Sequence, residues 1–170
     1  MIRREQMFRY RRINVKNDRA ILPELHCRIN YESETPYARK LSYDQYREKW
    51  LKTSQPEDYL SHLAKTMKDK RTIAEILEDK DKIVGYLWVT FTDIKDYNIT
   101  IASVMGIIVV PSYQRRGIGL GMMNHIEETS RKNGATLLRS DTGIQNVASQ
   151  KLHEKAEFKP CRINYEKILE

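Results

Sequence analysis

Residues 109–119 join an apolar strand end to the start of a helical pattern through a proline, a polar turn and two glycines. The first N–H groups of a helix have no acceptor within that helix, and the helix dipole adds roughly half a positive charge at the same end. Gly117 and Gly119 leave the main chain open to an anion there, and Arg115 and Arg116 bring positive charge to it. The segment therefore predicts a phosphate-binding helix N-terminus.

This turn lacks the signatures of two other nucleotide-binding loops. It does not end in the Gly-Lys-Ser/Thr sequence of a P-loop, and the Gly-x-Gly-x-x-Gly pattern of dinucleotide-binding folds is absent. On spacing alone, a purely structural connection between a strand and a helix stays open as the alternative.

Apolar periodicity predicts helices and strands that alternate around one sheet. Strands are predicted at residues 7–15, 72–77, 83–91, 98–110, 135–140 and 161–169. Helices are predicted from a cap at Asn17 or Asp18 to residue 29, at 43–68 with an interruption at Pro56, at 117–132 and at 146–155. This order predicts an α/β fold with one mixed sheet, in a single domain spanning residues 1–170.

Composition narrows the class of protein further. No apolar run approaches the ~18 residues that a membrane helix needs, and no secretory signal pattern follows the basic N-terminus. We therefore expect a cytoplasmic protein with no membrane partner. Cys27 and Cys161 form no metal-ligand spacing with the four histidines, so we expect reduced thiols and no metal.

The chain is basic, with a formal net charge of +7. That charge permits an anionic partner such as a nucleic acid or a phosphorylated cofactor. No zinc-finger spacing, aromatic RNA-binding consensus or leucine zipper accompanies it. We expect a solvated basic surface and no nucleic-acid partner.

Two motifs resemble one known family. Residues 114–119 read Gln-Arg-Arg-Gly-Ile-Gly and match the Gln/Arg-x-x-Gly-x-Gly/Ala signature of the GNAT superfamily of acetyl-CoA-dependent N-acetyltransferases. Residues 146–158 read Asn-x-x-Ser-x-x-Leu-His-x-x-x-x-Phe and resemble that family's later helix, Asn-x-x-Ala-x-x-Leu-Tyr-x-x-x-Gly-Phe. The resemblance implies a GNAT-type acyl-CoA N-acyltransferase fold, in which helices flank a mixed, mostly antiparallel sheet.

The resemblance also implies a site for acetyl-CoA as co-substrate. The main chain of the strand before the turn would pair with the pantetheine arm, and the amides that follow would hold the pyrophosphate. The implied binding residues are Ile107, Ile108, Val109, Val110, Gln114, Arg115, Arg116, Gly117, Ile118, Gly119, Leu120, Asn146 and Ser149. Asn146 has a second, purely structural use as a helix N-cap.

N-acetylation needs groups that move protons, because only the neutral amine attacks a thioester. His153 stands where the resembled family often has a tyrosine that acts as general acid, and an imidazolium can also donate a proton. The family's usual glutamate base falls near Ser103, which cannot replace a carboxylate. Asp141 and Glu75 are the candidate bases, with a turn residue and a solvent-facing strand residue as their structural alternatives.

The acceptor amine stays open at this level. Residues 140–153 are similar to a stretch of aminoglycoside 6′-N-acetyltransferases, which implies a small polyamine or aminosugar. The net positive charge argues against a polycation unless four early carboxylates form an acidic patch: Glu32, Glu34, Asp44 and Glu48. Another small amine or amino acid, a protein or peptide amine, and a non-catalytic acyl-CoA sensor are the other readings. Dimers are common in the resembled family, so a homodimer also stays open.

Overall fold

The computed structural model describes residues 8–33 and 38–169, and its described strands form one five-stranded sheet. The strands lie in chain order, the first four are antiparallel neighbours, and the fifth runs parallel to the fourth. Their bounds are β1 Phe8–Arg12, β2 Ile73–Asp79, β3 Lys82–Ile94, β4 Ile99–Val109 and β5 Leu137–Arg139. The predicted mixed, mostly antiparallel sheet is confirmed.

Five α-helices within the described ranges flank this sheet. They are α1 Leu22–Ser33, α2 Tyr43–Leu51, α3 Gln55–Thr66, α4 Ile118–Lys132 and α5 Val147–Lys155. The helix predicted at 43–68 is two helices, and Pro56 lies in the first turn of α3, where its missing N–H removes no helical bond. None of the helices in the described part of the chain is long and apolar enough to cross a membrane.

Alternation along β2 sends its side chains into two separate helical layers. Ala74 and Ile76 are buried in a cluster with residues of α1 and α3. Ile73 and Leu77 point to the opposite face, where they cluster with Met122 and other buried residues of α4. The sheet therefore separates two cores, one beneath α1 and α3 and one beneath α4.

A buried ion pair fixes the connection between β1 and α1. The Arg11 guanidinium donates to both carboxylate oxygens of Asp18, at 2.8 and 2.9 Å, and to Glu78 Oε1 at 2.6 Å. Asp18 also accepts the Asn14 main-chain N–H at 2.9 Å and is only 7% exposed. Hydrogen bonding to Arg11 holds the pKa of the Asp18 and Glu78 carboxyls below their ordinary values. Both therefore stay ionised and tie β1 to β2 and to the start of α1.

The predicted strand at residues 161–169 is wrong in this structure. That segment has no regular secondary structure, and its apolar side chains are exposed, with Ile163 at 76% and Tyr165 at 89%. Alternation alone does not make a strand, because the main chain needs a neighbouring strand to pair with. The last strand of the sheet, β5, is only 3 residues long, so it offers very little edge.

Candidate functional site

β4 and β5 separate after a short paired stretch. Residues 101–103 pair with residues 137–139, and β4 then continues to Val109 beside β3. On the side that faces β5, residues 104–109 have no partner strand in the described part of the chain; we call them the open edge of β4. Their free main-chain groups can pair with an extended ligand. The predicted pantetheine-binding residues 107–110 lie on this edge and directly after it.

A β-bulge bends β4 at residues 104–106, where the open edge begins. Trp88 pairs with Gly106, whereas the next residue, Val89, pairs with Val104, so Met105 is the extra residue. A side chain at Gly106 would lie 3.1 Å from Ile29 of α1, so the glycine permits close packing there. The bulge leaves Met105 39% exposed, between the open edge and the layer of α1 and α3.

The turn after β4 presents unpaired main-chain donors. The first main-chain bond of α4 runs from the Gly121 N–H to the Gly117 carbonyl at 3.1 Å. The N–H groups of residues 115–120 donate to no acceptor in the described part of the protein. Arg115 and Gly117 both have positive φ angles, 59° and 79°. Such alternation turns successive N–H groups toward one point, which makes a nest for an anion. The geometry thus fits the diphosphate that the sequence predicts here.

The two glycines of this turn differ in whether the structure requires a glycine at their position. Gly117 is the N-cap with a φ of 79°, and a side chain there would meet no atom within 4 Å. Its requirement is therefore conformational. A side chain at Gly119 would lie 3.4 Å from Leu152 and 3.9 Å from Val109. These are ordinary van der Waals distances, so packing does not require a glycine at residue 119.

Two side chains of the turn, those of Gln114 and Arg116, hydrogen-bond to nearby main-chain carbonyls. The Gln114 side-chain amide donates to the carbonyl of Val109, the last residue of the open edge, at 2.9 Å. Arg116 folds back, with its guanidinium 2.8 Å from the Ser112 carbonyl and 5.1 Å from the centre of the Tyr113 ring. These contacts order the turn in front of α4.

Asn146, Ser149 and His153 are brought together on α5. The Asn146 side chain accepts the Ser149 N–H at 3.1 Å and so acts as the N-cap. His153 Nδ1 lies 2.7 Å from the Ser149 carbonyl, and its Nε2 lies 2.8 Å from Ser140 Oγ. Because a carbonyl only accepts, Nδ1 carries a proton, and in the neutral ring Nε2 accepts the Ser140 hydroxyl. The imidazole is therefore held against the end of β5.

The two predicted bases lie in different places. Asp141 is exposed and directly follows Ser140, so it is on the side where β4 and β5 separate. Glu75 lies on β2, and its carboxylate is 2.7 Å from Nε2 of His125 on α4. Tyr10 stacks on that histidine at 3.8 Å. The structure does not bring Glu75 together with Asp141 or His153, because β3 stands between β2 and β4.

The early carboxylates differ in their surroundings. Glu32 forms an ion pair with Arg39 at 2.8 Å, and Glu48 pairs with Lys52 at 2.7 Å. Asp44 is in the first turn of α2, and Glu34 lies outside the described residues. Two of these four carboxylates are thus neutralised by their own neighbours.

Sequence reasoning missed one cavity. It has a volume of about 380 Å³ and lies between α1, α2, α3 and the inner strands β3 and β4. We call it the aromatic cavity. Its lining includes His26, Trp50, Asp58, Tyr59, His62, Trp88 and Met105. The only local signal was the spacing of three between Tyr59 and His62, which places both on one face of α3.

Two solved structures of acetyltransferases share this architecture. A predicted acetyltransferase from Clostridium acetobutylicum, solved with acetyl-CoA, superposes with a TM-score of 0.70 at 13% identity, over 95% of this chain and 96% of that one. The aminoglycoside N-acetyltransferase AAC(6′)-Iy, in complex with CoA, superposes with a TM-score of 0.62 at 17% identity, over 98% and 99% of the two chains. At these identities the likeness shows a shared fold.

The family follows from the sequence match. Residues 35–158 match the profile described as the Acetyltransferase (GNAT) family. The chain therefore belongs to the GNAT family of acetyltransferases. The aminoglycoside N(6′)-acetyltransferase type 1 of Klebsiella aerogenes is 37% identical over 62 residues, which cover 36% of this chain and 41% of that protein. The match thus spans less than half of that relative.

Proposed function

We propose that the protein transfers the acetyl group of acetyl-CoA to a primary amine of a small molecule. The observation that carries this proposal is the set of unpaired N–H groups at residues 115–120, placed at the end of the open edge of β4. The first feature suits a diphosphate, and the second suits an extended arm that contains amides. Coenzyme A joins these two chemical groups in one molecule.

The reaction we propose is direct attack. A bond forms between the amine nitrogen and the acetyl carbon while the bond from that carbon to sulfur breaks. Starting from the neutral amine, the nitrogen loses one proton and the sulfur gains one, so no net proton is consumed. Because an alkyl ammonium has a pKa of roughly 10.4, the protein must first accept a proton from the bound amine. Two proton-transfer groups are therefore needed.

We assign proton delivery to His153. Its Nδ1 proton is committed to the Ser149 carbonyl, so only a protonated Nε2 can donate. In that form the Nε2 proton points at Ser140 Oγ, so the Ser140 hydroxyl relays it, passing on its own proton as it accepts the one from Nε2. The bond at Nδ1 holds the ring in one orientation for either state.

We assign the base to Asp141, acting through water. It is exposed and lies one residue beyond Ser140, at the end of β5. Glu75 already bonds to His125 beneath α4, so we propose a structural role for it. The primary amine acceptor and its small size rest on the resemblance to aminoglycoside acetyltransferases.

Two measurements on the purified protein test this function. Calorimetric titration with acetyl-CoA should show saturable binding, and a thiol-release assay with a panel of small amines and lysine peptides should show turnover on at least one small amine. Absence of acetyl-CoA binding would refute the proposal. Binding without thiol release on any amine would instead identify a sensor, and turnover on peptides alone would identify a protein or peptide acetyltransferase.

A further inference from the structure

Three ring residues in the walls of the aromatic cavity use their polar atoms in hydrogen bonds within the protein, whereas the buried Nδ1 of His26 has no hydrogen-bond partner among the described residues. The Trp50 indole N–H donates to Gln55 Oε1 at 2.7 Å, and the Trp88 indole N–H donates to Thr66 Oγ1 at 3.1 Å. The hydroxyl of Tyr59 bonds to that of Tyr86 at 3.0 Å, deep in the core. These three residues are each at most 6% exposed, so the cavity reaches only small parts of their rings, and those parts offer ring surface rather than hydrogen-bonding groups.

The imidazole of His26 adds to this surface without adding charge. It stacks on Tyr59 with ring centres 3.9 Å apart and an angle of 9° between the planes. Burial lowers the pKa of His26 to about 4, so the ring is neutral near pH 7. His62 meets the Trp88 ring edge-on at 5.2 Å. A cation that enters the cavity therefore meets no fixed positive charge from His26.

Asp58 supplies the single carboxylate among the residues that line the cavity. It is exposed, and its Oδ2 accepts the Ser54 hydroxyl at 2.8 Å, so it stands at the solvent end. Two carboxylates on the surrounding helices have ion-pair partners: Glu57, next to Asp58 on α3, pairs with Arg19, and Glu24 on α1 pairs with Arg47. The cavity therefore combines several ring surfaces with one negative charge.

The cavity adjoins the place where an acetyl group would be delivered. Met105, the extra residue of the bulge, lines it. Met105 lies two residues before Ile107, where the open edge begins to carry the predicted pantetheine-binding residues. An arm that starts from the diphosphate nest and runs down this edge ends beside the cavity.

We propose that the aromatic cavity is the acceptor subsite, and that it selects an amine with one ammonium group on a flat, apolar body over a polycationic aminosugar. This inference rests on the proposed acetyl transfer. Ring faces bind such a body by dispersion and attract its cation, and Asp58 balances the single charge. A polycation would instead bring several charges to a site with one carboxylate, and the remainder would be desolvated without partners.

Tryptophan fluorescence tests the inference without any turnover. The chain has two tryptophans, Trp50 and Trp88, and both line the cavity. Titration with 2-phenylethylamine, with no acetyl-CoA present, should give a saturable change. Its affinity should be at least tenfold higher than that of kanamycin, a polycationic aminoglycoside, and of 2-phenylethanol, which has no charge. Equal or tighter binding of kanamycin, or no fluorescence change, would overturn the inference.

A matched pair of variants on α3 tests the role of the carboxylate. Asp58→Asn should weaken 2-phenylethylamine binding about tenfold, while binding of 2-phenylethanol should be unchanged. Glu57→Gln removes the neighbouring exposed charge, which lies outside the cavity lining, and should change either affinity by less than twofold. Equal effects of the two substitutions on the amine would contradict the assignment of Asp58.

The thiol-release assay separates this inference from the proposed function. Turnover of 2-phenylethylamine with a kcat/KM at least tenfold above that of kanamycin would support both. Turnover of kanamycin without a fluorescence response would overturn the cavity assignment and leave the acetyltransferase intact. A saturable fluorescence response without thiol release from any amine would refute acetyl transfer and support the cavity as a binding site.

Discussion

The diphosphate nest (the unpaired N–H groups of residues 115–120, where we propose that the diphosphate binds) and the aromatic cavity are built from different parts of the chain. The nest consists of main-chain N–H groups within one short segment, positioned by a strand end, two positive φ angles and the start of α4. The cavity consists of side chains from α1, α2, α3, β3 and β4, which are far apart in sequence. The nest therefore corresponds to a contiguous motif in the sequence, whereas the cavity corresponds to residues that are scattered along it.

This difference indicates how tolerant each region is to substitution. A main-chain site depends on backbone conformation, so most side chains in it can change as long as the glycines stay. A side-chain site depends on each ring and charge, so its ligand can change while the fold is kept. The nest should be shared by proteins with different acceptors, and the cavity should decide the acceptor.

The largest expected effect tests the nest. Gly117→Val places a β-branched residue at a φ of 79°, so the turn must rearrange. We expect acetyl-CoA affinity, measured by calorimetry, to fall about 1,000-fold, equivalent to the loss of about two charge-assisted hydrogen bonds of roughly 2 kcal/mol each. Gly121→Ala is the matched control, because a side chain there meets no atom within 4 Å. An unchanged Kd in Gly117→Val would refute the main-chain nest.

The next effect tests whether the proton-transfer group is on α5, apart from the diphosphate nest and the aromatic cavity. His153→Ala removes the imidazole held between Ser149 and Ser140. We expect kcat to fall about 100-fold, as is typical for loss of a proton-transfer group, while the Kd for acetyl-CoA changes less than threefold. Steady-state kinetics over a full pH range measure this. A kcat that matches the unmodified enzyme at every pH would remove His153 from the mechanism.

A third effect tests whether the region around α1, which lines the aromatic cavity, can be destabilised without changing the affinity for acetyl-CoA. Asp18 fixes the start of α1, which carries His26, and its folded-state pKa is lowered by Arg11. The stabilisation is therefore fully present above the unfolded carboxyl pKa of roughly 4 and is lost as the pH falls through the lower folded value. Asp18→Asn should destabilise by about 2 kcal/mol at pH 7.

Urea unfolding from pH 3 to pH 7 measures this effect. The stability difference between the two proteins should shrink toward the acid end, and the acetyl-CoA affinity of the folded variant at pH 7 should stay within twofold. A difference that is constant across this range would show that Asp18 acts through packing rather than through its charge. A large loss of acetyl-CoA affinity would show that the two regions are coupled.

The smallest effect concerns a departure from the resembled motif. Glu157 stands at that motif's glycine and has a φ of 63°, which strains a residue with a side chain. Glu157→Gly should raise thermal stability by about 0.5–1 kcal/mol. Glu154→Gly, inside α5, should instead lower it by about 1 kcal/mol. Destabilisation by Glu157→Gly would show that its side chain makes a contact worth more than the strain.

Much of the fold could be predicted from the sequence, because its elements have a clear period. Strong β-branched and aromatic content located β2, β3 and β4, and the glycine turn located α4. The break between α2 and α3 was placed at Pro56 rather than before it, because proline both ends a helix and starts one. The strand predicted at 161–169 failed because periodicity describes one strand and does not supply its partner.

The candidate site divides in the same way. The turn at residues 114–119 could be predicted as an anion site because main-chain binding imposes glycines at fixed spacing, whereas residues 107–110 were implied by the family resemblance, and both stay predictions. Asn146, Ser149 and His153 were likewise implied by the resemblance; they lie at the N-cap and along α5, and their roles stay predictions. The position of Glu75 beneath α4 and the cavity around Trp88 depend on which face of the sheet each side chain takes and on which helix covers it. Those are tertiary facts that no local pattern contains.

The open edge of β4 has a fixed length, because a hydrogen bond ends it on one side and the bulge ends it on the other. The Gln114 amide occupies the Val109 carbonyl, and the bulge at Met105 interrupts the strand at the other end. Between them the edge spans about 13 Å, at roughly 3.3 Å per residue. In the proposed complex, this distance sets how far the pantetheine arm reaches. A carrier laid along it has its tip placed by length, before any group at the tip is recognised, so shorter or longer carriers would deliver their cargo to the wrong spot.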